Sequence, residues 1–295
     1  MCGIMGYIGD ENATDIIISG LEELEYRGYD SAGLAVCDGK EIKTVKVVGS
    51  PSGLREEADG IKGKIGIGHT RWATHGAPTV VNAHPHTSQS GLCTVVHNGI
   101  IENYASLKNE LIEKGFRFIS DTDTEVIAQM LEYLYNGDLK GTVGAALSRF
   151  KGSYALAIMC RDYPDCIVCA KLSSPLFAGI ASGCADLASG VSAVATKSDR
   201  VFGVNDGEIG LLKKEGLKVF DLEGCRIRTS EITLKSAERS SAKLGYKHSM
   251  LKEIMEQPDA IRRTVAPRIK NGQIELGLSK IDADVIRSLE RVYIV

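Results

Sequence analysis

Over the first 225 positions the apolar residues come in short runs bounded by Gly, Asp and Asn. The runs are GIMGYIG, SAGLAVC, KTVKVVG, KIGIGHT, LCTVVHN, SYALAIM, CIVCAK, RVFGV, EIGLL and LKVFDL. Runs of this length predict ten strands and at least one large sheet. Between them the spacing changes to i, i+3/i+4: Ile17, Leu21 and Leu24; Leu107, Leu111 and Ile112 ahead of Gly115; Val126, Ile127, Met130, Leu131 and Leu134 ahead of Gly137. These stripes predict helices that stop on a glycine. The helical stretches fall in blocks, at 14–25 and 103–150, and do not alternate one for one with strands. That order disfavours a regular parallel βαβ array and predicts an α+β fold of mostly antiparallel sheets covered by helices.

After about residue 226 the pattern changes. Polar RTSEITLKSAERSSAKLG is followed by helix-like HSMLKEIMEQPDAIRRTVAP, then KIDADVIRSLE and a strand-like RVYIV. The expected organisation is a domain over 1–225 and a helical connector over 226–295. An apolar terminal edge normally needs a pairing neighbour, which suggests that a larger protein has been cut here.

Composition narrows the function classes. The chain has 295 residues, 43% of them hydrophobic and 25% charged, enough for a well-buried core without disulfide or metal. A net charge of -3 provides no broad positive field for a phosphate backbone, so nucleic acid is discounted as a partner. The start, MCGIMGYIGDENATD, lacks the basic and apolar regions of a secretory signal, and no apolar stretch approaches the roughly 20 residues that span a bilayer. A reduced cytoplasmic protein is expected, in which the eight cysteines are thiols. Cys166 and Cys169 form a C-x-x-C inside a predicted strand, where residues three apart face opposite sides, so two buried thiols fit better than a metal pair. His84-Pro85-His86 has no carboxylate or Cys at usual ligand spacing. No metal and no cofactor are expected.

Cys2 is the focus of the candidate chemistry. A small residue after Met1 permits excision of the methionine and leaves a thiol and a free α-amine on one residue. Such an amine titrates at about 7.7–8 and can take the thiol proton at neutral pH. The plainer reading is a small apolar side chain at the start of a strand. His97-Asn98-Gly99 follows a predicted strand, and Asn-Gly is a strong hairpin signal; the Asn amide and Gly N–H can also donate to a tetrahedral oxyanion. His69-Thr70-Arg71-Trp72-Ala73-Thr74-His75-Gly76 places an Arg and the only Trp after another strand. Arg71 can clamp a carboxylate in bidentate fashion with Trp72 as cover, or stack on Trp72 at the surface. The carboxylates of Asp121-Thr122-Asp123-Thr124-Glu125 can cap the helix that follows or hold a substrate ammonium. Tyr26 to Gly33, YRGYDSAG, reads as a substrate-side loop or as a turn before a strand.

Together these segments resemble the glutaminase domain of the glutamine:fructose-6-phosphate aminotransferase (isomerising) family, the glucosamine-6-phosphate synthases. The resemblance rests on Met1-Cys2-Gly3-Ile4, YRGYDSAG at 26–33, HTRWATHG at 69–76, HNGIIEN at 97–103 and TDTEVIA at 122–128, with HSMLKEIMEQP at 248–258 similar to the segment that joins glutaminase to isomerase. It implies an N-terminal-nucleophile hydrolase fold, a four-layer α/β/β/α sandwich. It also implies Cys2 as nucleophile with its α-amine as base, Asn98 and Gly99 as oxyanion hole, Arg71 on the glutamine α-carboxylate and Asp123 on its α-amine. Trp72, Thr74 and His75 would line a covering loop. His86 and Arg27 match positions near the site, Arg27 at the contact with the sugar domain. L-Glutamine is the implied substrate, and the partner is a sugar-isomerase domain acting on fructose 6-phosphate, absent from this chain; the full-length protein is expected to be a homo-oligomer. KLSSPL at 171–176 and LASGVSAV at 187–194 depart from the family pattern, the latter with Gly190 where an Asp is expected. The rival readings are another amidotransferase that begins Cys-Gly, such as the purine-pathway phosphoribosyl-diphosphate enzyme, and a catalytically silent glutamine-binding module.

Overall fold

The computed structural model describes residues 2–73, 76–195, 198, 200–229, 231, 232, 246, 249–270, 272–274, 284 and 287–291. The chain divides into two units, Met1–Ser241 and Ala242–Val295. The first unit begins with β1 (Gly3–Gly9), α1 (Ala13–Glu23), β2 (Ser31–Cys37), β3 (Ile42–Val48), the single turn α2 (Leu54–Glu57), β4 (Ile65–Arg71), β5 (His86–Thr87) and β6 (Cys93–Ile101). Three helices follow, α3 (Tyr104–Glu113), α4 (Thr124–Leu134) and α5 (Leu139–Leu147), then the hairpin β7 (Gly152–Cys160) and β8 (Tyr163–Leu172). The remainder is β9 (Phe177–Ala181), β10 (Cys184–Ala188), α6 (Val191–Ala195), β11 (Arg200–Gly203), β12 (Ile209–Lys213), β13 (Gly216–Phe220) and β14 (Arg226–Ile227).

Two seven-stranded sheets result, ordered β11-β9-β10-β1-β4-β2-β3 and β14-β13-β12-β8-β7-β6-β5. Every strand pairing in them is antiparallel. The alternation of side chains along each strand separates three cores. Ile4, Ile8, Ile67, Val96, Ala157 and Ile167 pack between the sheets. Met5, Tyr7, Leu34 and Val36 pack against Ile17, Ile18 and Leu21 of α1 on one outer face. Val95, Leu156, Ile158 and Val168 pack against Leu111, Val126, Ile127 and Met130 of α3 and α4 on the other. The layers are therefore α/β/β/α, and each fully buried Ile or Leu contributes roughly 1.5–3 kcal/mol.

The IGIG stretch of β4 shows how the sequence sets this spacing. Ile65 and Ile67 fill the inter-sheet layer, while Gly66 and Gly68 face α1. A Cβ on Gly68 would lie 2.4 Å from Ile17 Cγ2, so only glycine lets the helix approach this closely. Cys166 and Cys169 face opposite sides of β8, in the helix-side and inter-sheet cores respectively, and both are free thiols.

The second unit contains α7 (Ser249–Val265), with Pro258 inside it, and a small hairpin of β15 (Ile269–Lys270) and β16 (Gln273–Ile274). The strand-like end at 292–295 and most of KIDADVIRSLE lie outside the described residues. Among the described residues no helix is long and apolar enough to cross a membrane.

Candidate active site

Three inward-facing rows of the sandwich end together in polar residues. On β4 the row Ile65, Ile67 continues into His69 and Arg71; on β6 the row Thr94, Val96 continues into Asn98; on β1 the row Ile8, Ile4 continues outward to Cys2. A small cavity at this end is bordered by Cys2, Arg71, Trp72, Gly99 and Asp123, with His69, His84 and His97 behind them.

The Cys2 sulfur accepts the Trp72 backbone N–H at 3.3 Å. Burial pushes the thiol above its ordinary range, opposed by that N–H and by the nearby Arg71 charge. A thiol held protonated in this way needs a base to become a nucleophile. Asn98 is almost buried, and its Nδ2 donates to the Cys2 carbonyl at 3.1 Å. Asn98 and Gly99 do not form a hairpin turn. They lie inside β6, opposite Ala155 and Tyr154, and Gly99 has φ of 132°. A Cβ there would sit 2.1 Å from the Ser153 carbonyl oxygen, so the glycine is required by close backbone approach.

Arg71 is 4% exposed and donates to the carbonyls of Gly76 and Ala77 at 3.2 and 3.3 Å. Burial lowers its pKa, while the nearby Cys2, Asp123 and Asp30 favour the charge; a guanidinium stays protonated regardless. Asp123 stands at the head of α4 but makes no side-chain cap: its Oδ2 accepts the Ile101 N–H at 2.8 Å, which ties the helix to β6. The capping expectation fails because a strand N–H competes for the carboxylate. Glu125 folds back instead, accepting from the Ile119 and Ser120 N–H groups and the Ser120 hydroxyl.

Trp72 is half exposed and meets Tyr29 edge-on at 5.8 Å. Thr74 and His75 lie outside the described residues. His86 is buried one layer behind the cavity wall, its Nε2 3.0 Å from the Thr122 hydroxyl. Arg27 stands apart from the cavity wall: it reaches the Tyr26 hydroxyl at 3.1 Å and the Ser189 carbonyl at 3.5 Å. A Cβ on Gly190 would lie 3.6 Å from the Arg27 guanidinium, so the departure there removes a side chain beside Arg27. In the other departure, Ser173 adopts φ of 67°, with its N–H held by Asp206 at 2.8 Å.

Sequence reasoning assigned no role to Asp30. Its carboxylate accepts the Ala73 N–H at 2.9 Å and its own N–H donates to the Arg71 carbonyl at 3.0 Å, which fixes the chain leaving β4 on both sides of Trp72. The density of Arg, Asp and Gly in YRGYDSAG was the available signal. His97 was also passed over. Its Nε2 faces the Ser153 carbonyl at 3.4 Å and its Nδ1 the Thr124 hydroxyl at 2.9 Å, so the proton sits on Nε2 and Thr124 donates to Nδ1. Burial lowers its pKa, and it stands beside Asp123 as a neutral ring.

A family described as "Glutamine amidotransferase domain" matches residues 53–213. The glutamine–fructose-6-phosphate aminotransferases [isomerizing] of Caldanaerobacter subterraneus subsp. tengcongensis and Thermus thermophilus are 49% and 44% identical to this sequence. Each match covers 100% of this chain and 49% of the relative, so the chain spans about half the length of the curated relatives it matches. Among solved structures, the glutamine phosphoribosylpyrophosphate amidotransferase of B. subtilis superposes with a TM-score of 0.66 at 30% identity, covering 75% of this chain and 49% of that one. The fold is therefore that of the N-terminal-nucleophile amidotransferases.

Proposed function

The chain belongs to the glutamine amidotransferase domain family, and on that premise we propose that it hydrolyses the side-chain amide of L-glutamine through a thioester on Cys2. The ammonia released serves glucosamine 6-phosphate synthesis from fructose 6-phosphate in a sugar-isomerase half beyond this chain. The observation that carries this reading is the juxtaposition at one cavity of the Cys2 sulfur, the Asn98 amide on the Cys2 carbonyl, Arg71 and Asp123.

Once Met1 is removed, the Cys2 α-amine takes the thiol proton and the thiolate attacks the glutamine amide carbon. The oxyanion is met by the second Asn98 Nδ2 hydrogen and the Gly99 N–H, each contributing about 2.7–4 kcal/mol to barrier lowering. The amine returns its proton to the departing ammonia, then activates the water that cleaves the thioester. Arg71 holds the glutamine α-carboxylate and Asp123 its α-ammonium, with Trp72, Thr74 and His75 as cover and His86 supporting the wall through Thr122. Arg27 faces the sugar half, residues 226–295 connect to it, and the whole protein is a cytoplasmic homo-oligomer. The 40–49% identity to fructose-6-phosphate enzymes supports this assignment over the purine-pathway alternative.

The test is glutamate release from glutamine. Cys2→Ala is expected to abolish it while the variant still binds glutamine. Turnover that survives this substitution, or intact mass showing active enzyme with Met1 retained, would refute the assignment.

A further inference from the structure

Four buried histidines lie behind the oxyanion donors, and one of them is fixed by contacts that leave no choice of tautomer. His69 Nε2 is 3.1 Å from the His97 backbone carbonyl and 3.0 Å from Asn98 Oδ1. A backbone carbonyl only accepts, so Nε2 must carry a hydrogen. The ring Nδ1 has no hydrogen-bond partner among the described residues, consistent with an imidazole that holds its single proton on Nε2. Burial holds the ring neutral, with its pKa pushed down to about 3.

The tautomer in turn orients Asn98. A side-chain amide can present oxygen or nitrogen to either side, and its neighbours decide which. On one side stands the His69 N–H, which needs an acceptor; on the other stands the Cys2 carbonyl, which needs a donor. Only one amide orientation satisfies both. The ring that enforces it is itself clamped: His84 stacks on it at 4.1 Å and 21°, and His84 Nδ1 accepts the His97 N–H at 3.3 Å. Gly33, opposite His69 on β2, makes this stack possible, because a Cβ there would lie 2.1 Å from the His84 carbonyl oxygen.

We infer that His69 is the positioning residue of the oxyanion hole: its Nε2–H, referenced to the His97 carbonyl, locks the Asn98 amide with its donor face toward Cys2. This role rests on the glutamine-hydrolysis reading above. His69 touches no reacting atom; it acts through Asn98.

The experiment compares His69→Asn with His69→Gln. The glutamine amide nitrogen is as many bonds from Cβ as imidazole Nε2, whereas the asparagine nitrogen reaches only the Nδ1 position. His69→Asn is expected to lower kcat for glutamate release by about 10- to 100-fold, the usual effect of removing a partner that orients a functional ligand. KM stays within about threefold, because Arg71 and Asp123 still hold the substrate. His69→Gln is expected to restore kcat to within about fivefold of the parent. Alkylation of Cys2 by iodoacetamide, which forms no oxyanion, should proceed at the parental rate in both variants. Equal damage in the two variants, or alkylation lost in step with turnover, would make His69 a packing residue and overturn the inference. A nitrogen-15 spectrum of the parent protein provides a check independent of activity: a proton on Nε2 with bare Nδ1 is expected, and the opposite tautomer would also overturn it. A parent chain that releases no glutamate would remove the functional reading alone, leaving the positioning of Asn98 to be decided by that spectrum.

Discussion

The two ends of the inter-sheet layer are built from the same strands and do opposite things. In the middle, Ile65, Ile67, Val96, Ala155, Ala157 and Ile167 interlock without a polar atom between side chains. Two residues further along the same rows stand His69 and Asn98, also buried but joined to each other across the sheets by a hydrogen bond, and Asn98 bonds in turn to the Cys2 carbonyl. Apolar burial is non-directional and roughly proportional to area, so the middle holds the sheets together without dictating any one group's orientation. Buried polar groups each need a partner in a defined direction, so the end dictates orientation and adds little net stability. The middle should therefore govern melting and the end should govern turnover.

Substitutions can break this division. Ile167→Ala, in the middle, is expected to cost about 2–5 kcal/mol in chemical denaturation while kcat of the folded protein stays within about twofold. Asn98→Ala, at the end, should lower kcat by about 10²–10³-fold, equivalent to about 2.7–4 kcal/mol. Its melting temperature should move little, because His69 keeps its bond to the His97 carbonyl. A large melting shift for Asn98→Ala would merge the two regions into one.

A pH titration of stability sharpens the same contrast. Burial depresses His69, His84, His86 and His97, whereas the unfolded chain protonates these rings near pH 6.5. As pH falls, the unfolded state takes up protons first. The stability from neutral rings is thus complete above about pH 6.5 and is lost below it, for His69 down to about pH 3. His69 adds a slope approaching about 1.4 kcal/mol per pH unit in that window, and the other three rings act in the same direction. Denaturation between about pH 7 and pH 5 should show it, and His69→Gln should reduce the slope by one ring's share. Arg71→Lys loses the bidentate fork and should raise KM for glutamine about tenfold, or about 1.4 kcal/mol, measured by initial rates. The smallest effect is expected outside both regions: Cys225→Ser, at an exposed thiol, should change denaturation stability by less than about 0.5 kcal/mol.

Much of this architecture was legible from periodicity. SAGLAVC and GIMGYIG are strands over the ranges their apolar runs and flanking residues imply, and α3 ends just before Gly115 as expected, whereas α4 ends at Leu134, its C-cap Tyr135 already extended, three residues before Gly137. The pair β9 and β10 escaped notice because FAGIA and CADLA carry few large apolar side chains. Gly179 is kept small by Ser198, whose hydroxyl would lie 2.0 Å from an added Cβ. At the site, Cys2, Arg71, Asn98, Gly99 and Asp123 stood out through residue type and family resemblance. The hydrogen-bonding roles of His69, Asp30 and His97 did not, since each depends on a partner brought close by register between strands or across sheets. Local spacing carries no record of such register.

On the proposed mechanism, the bond from His69 on one sheet to Asn98 on the other makes hydrolysis conditional on docking of the two sheets. Cys2 and Asn98 are 96 residues apart in sequence, so the proposed nucleophile and its proposed oxyanion donor meet only when the two sheets are in register. A partly folded chain with both sheets formed but slipped by one residue would present a protonated thiol and a misdirected amide. Under that mechanism, glutamine turnover per molecule would count correctly closed sandwiches.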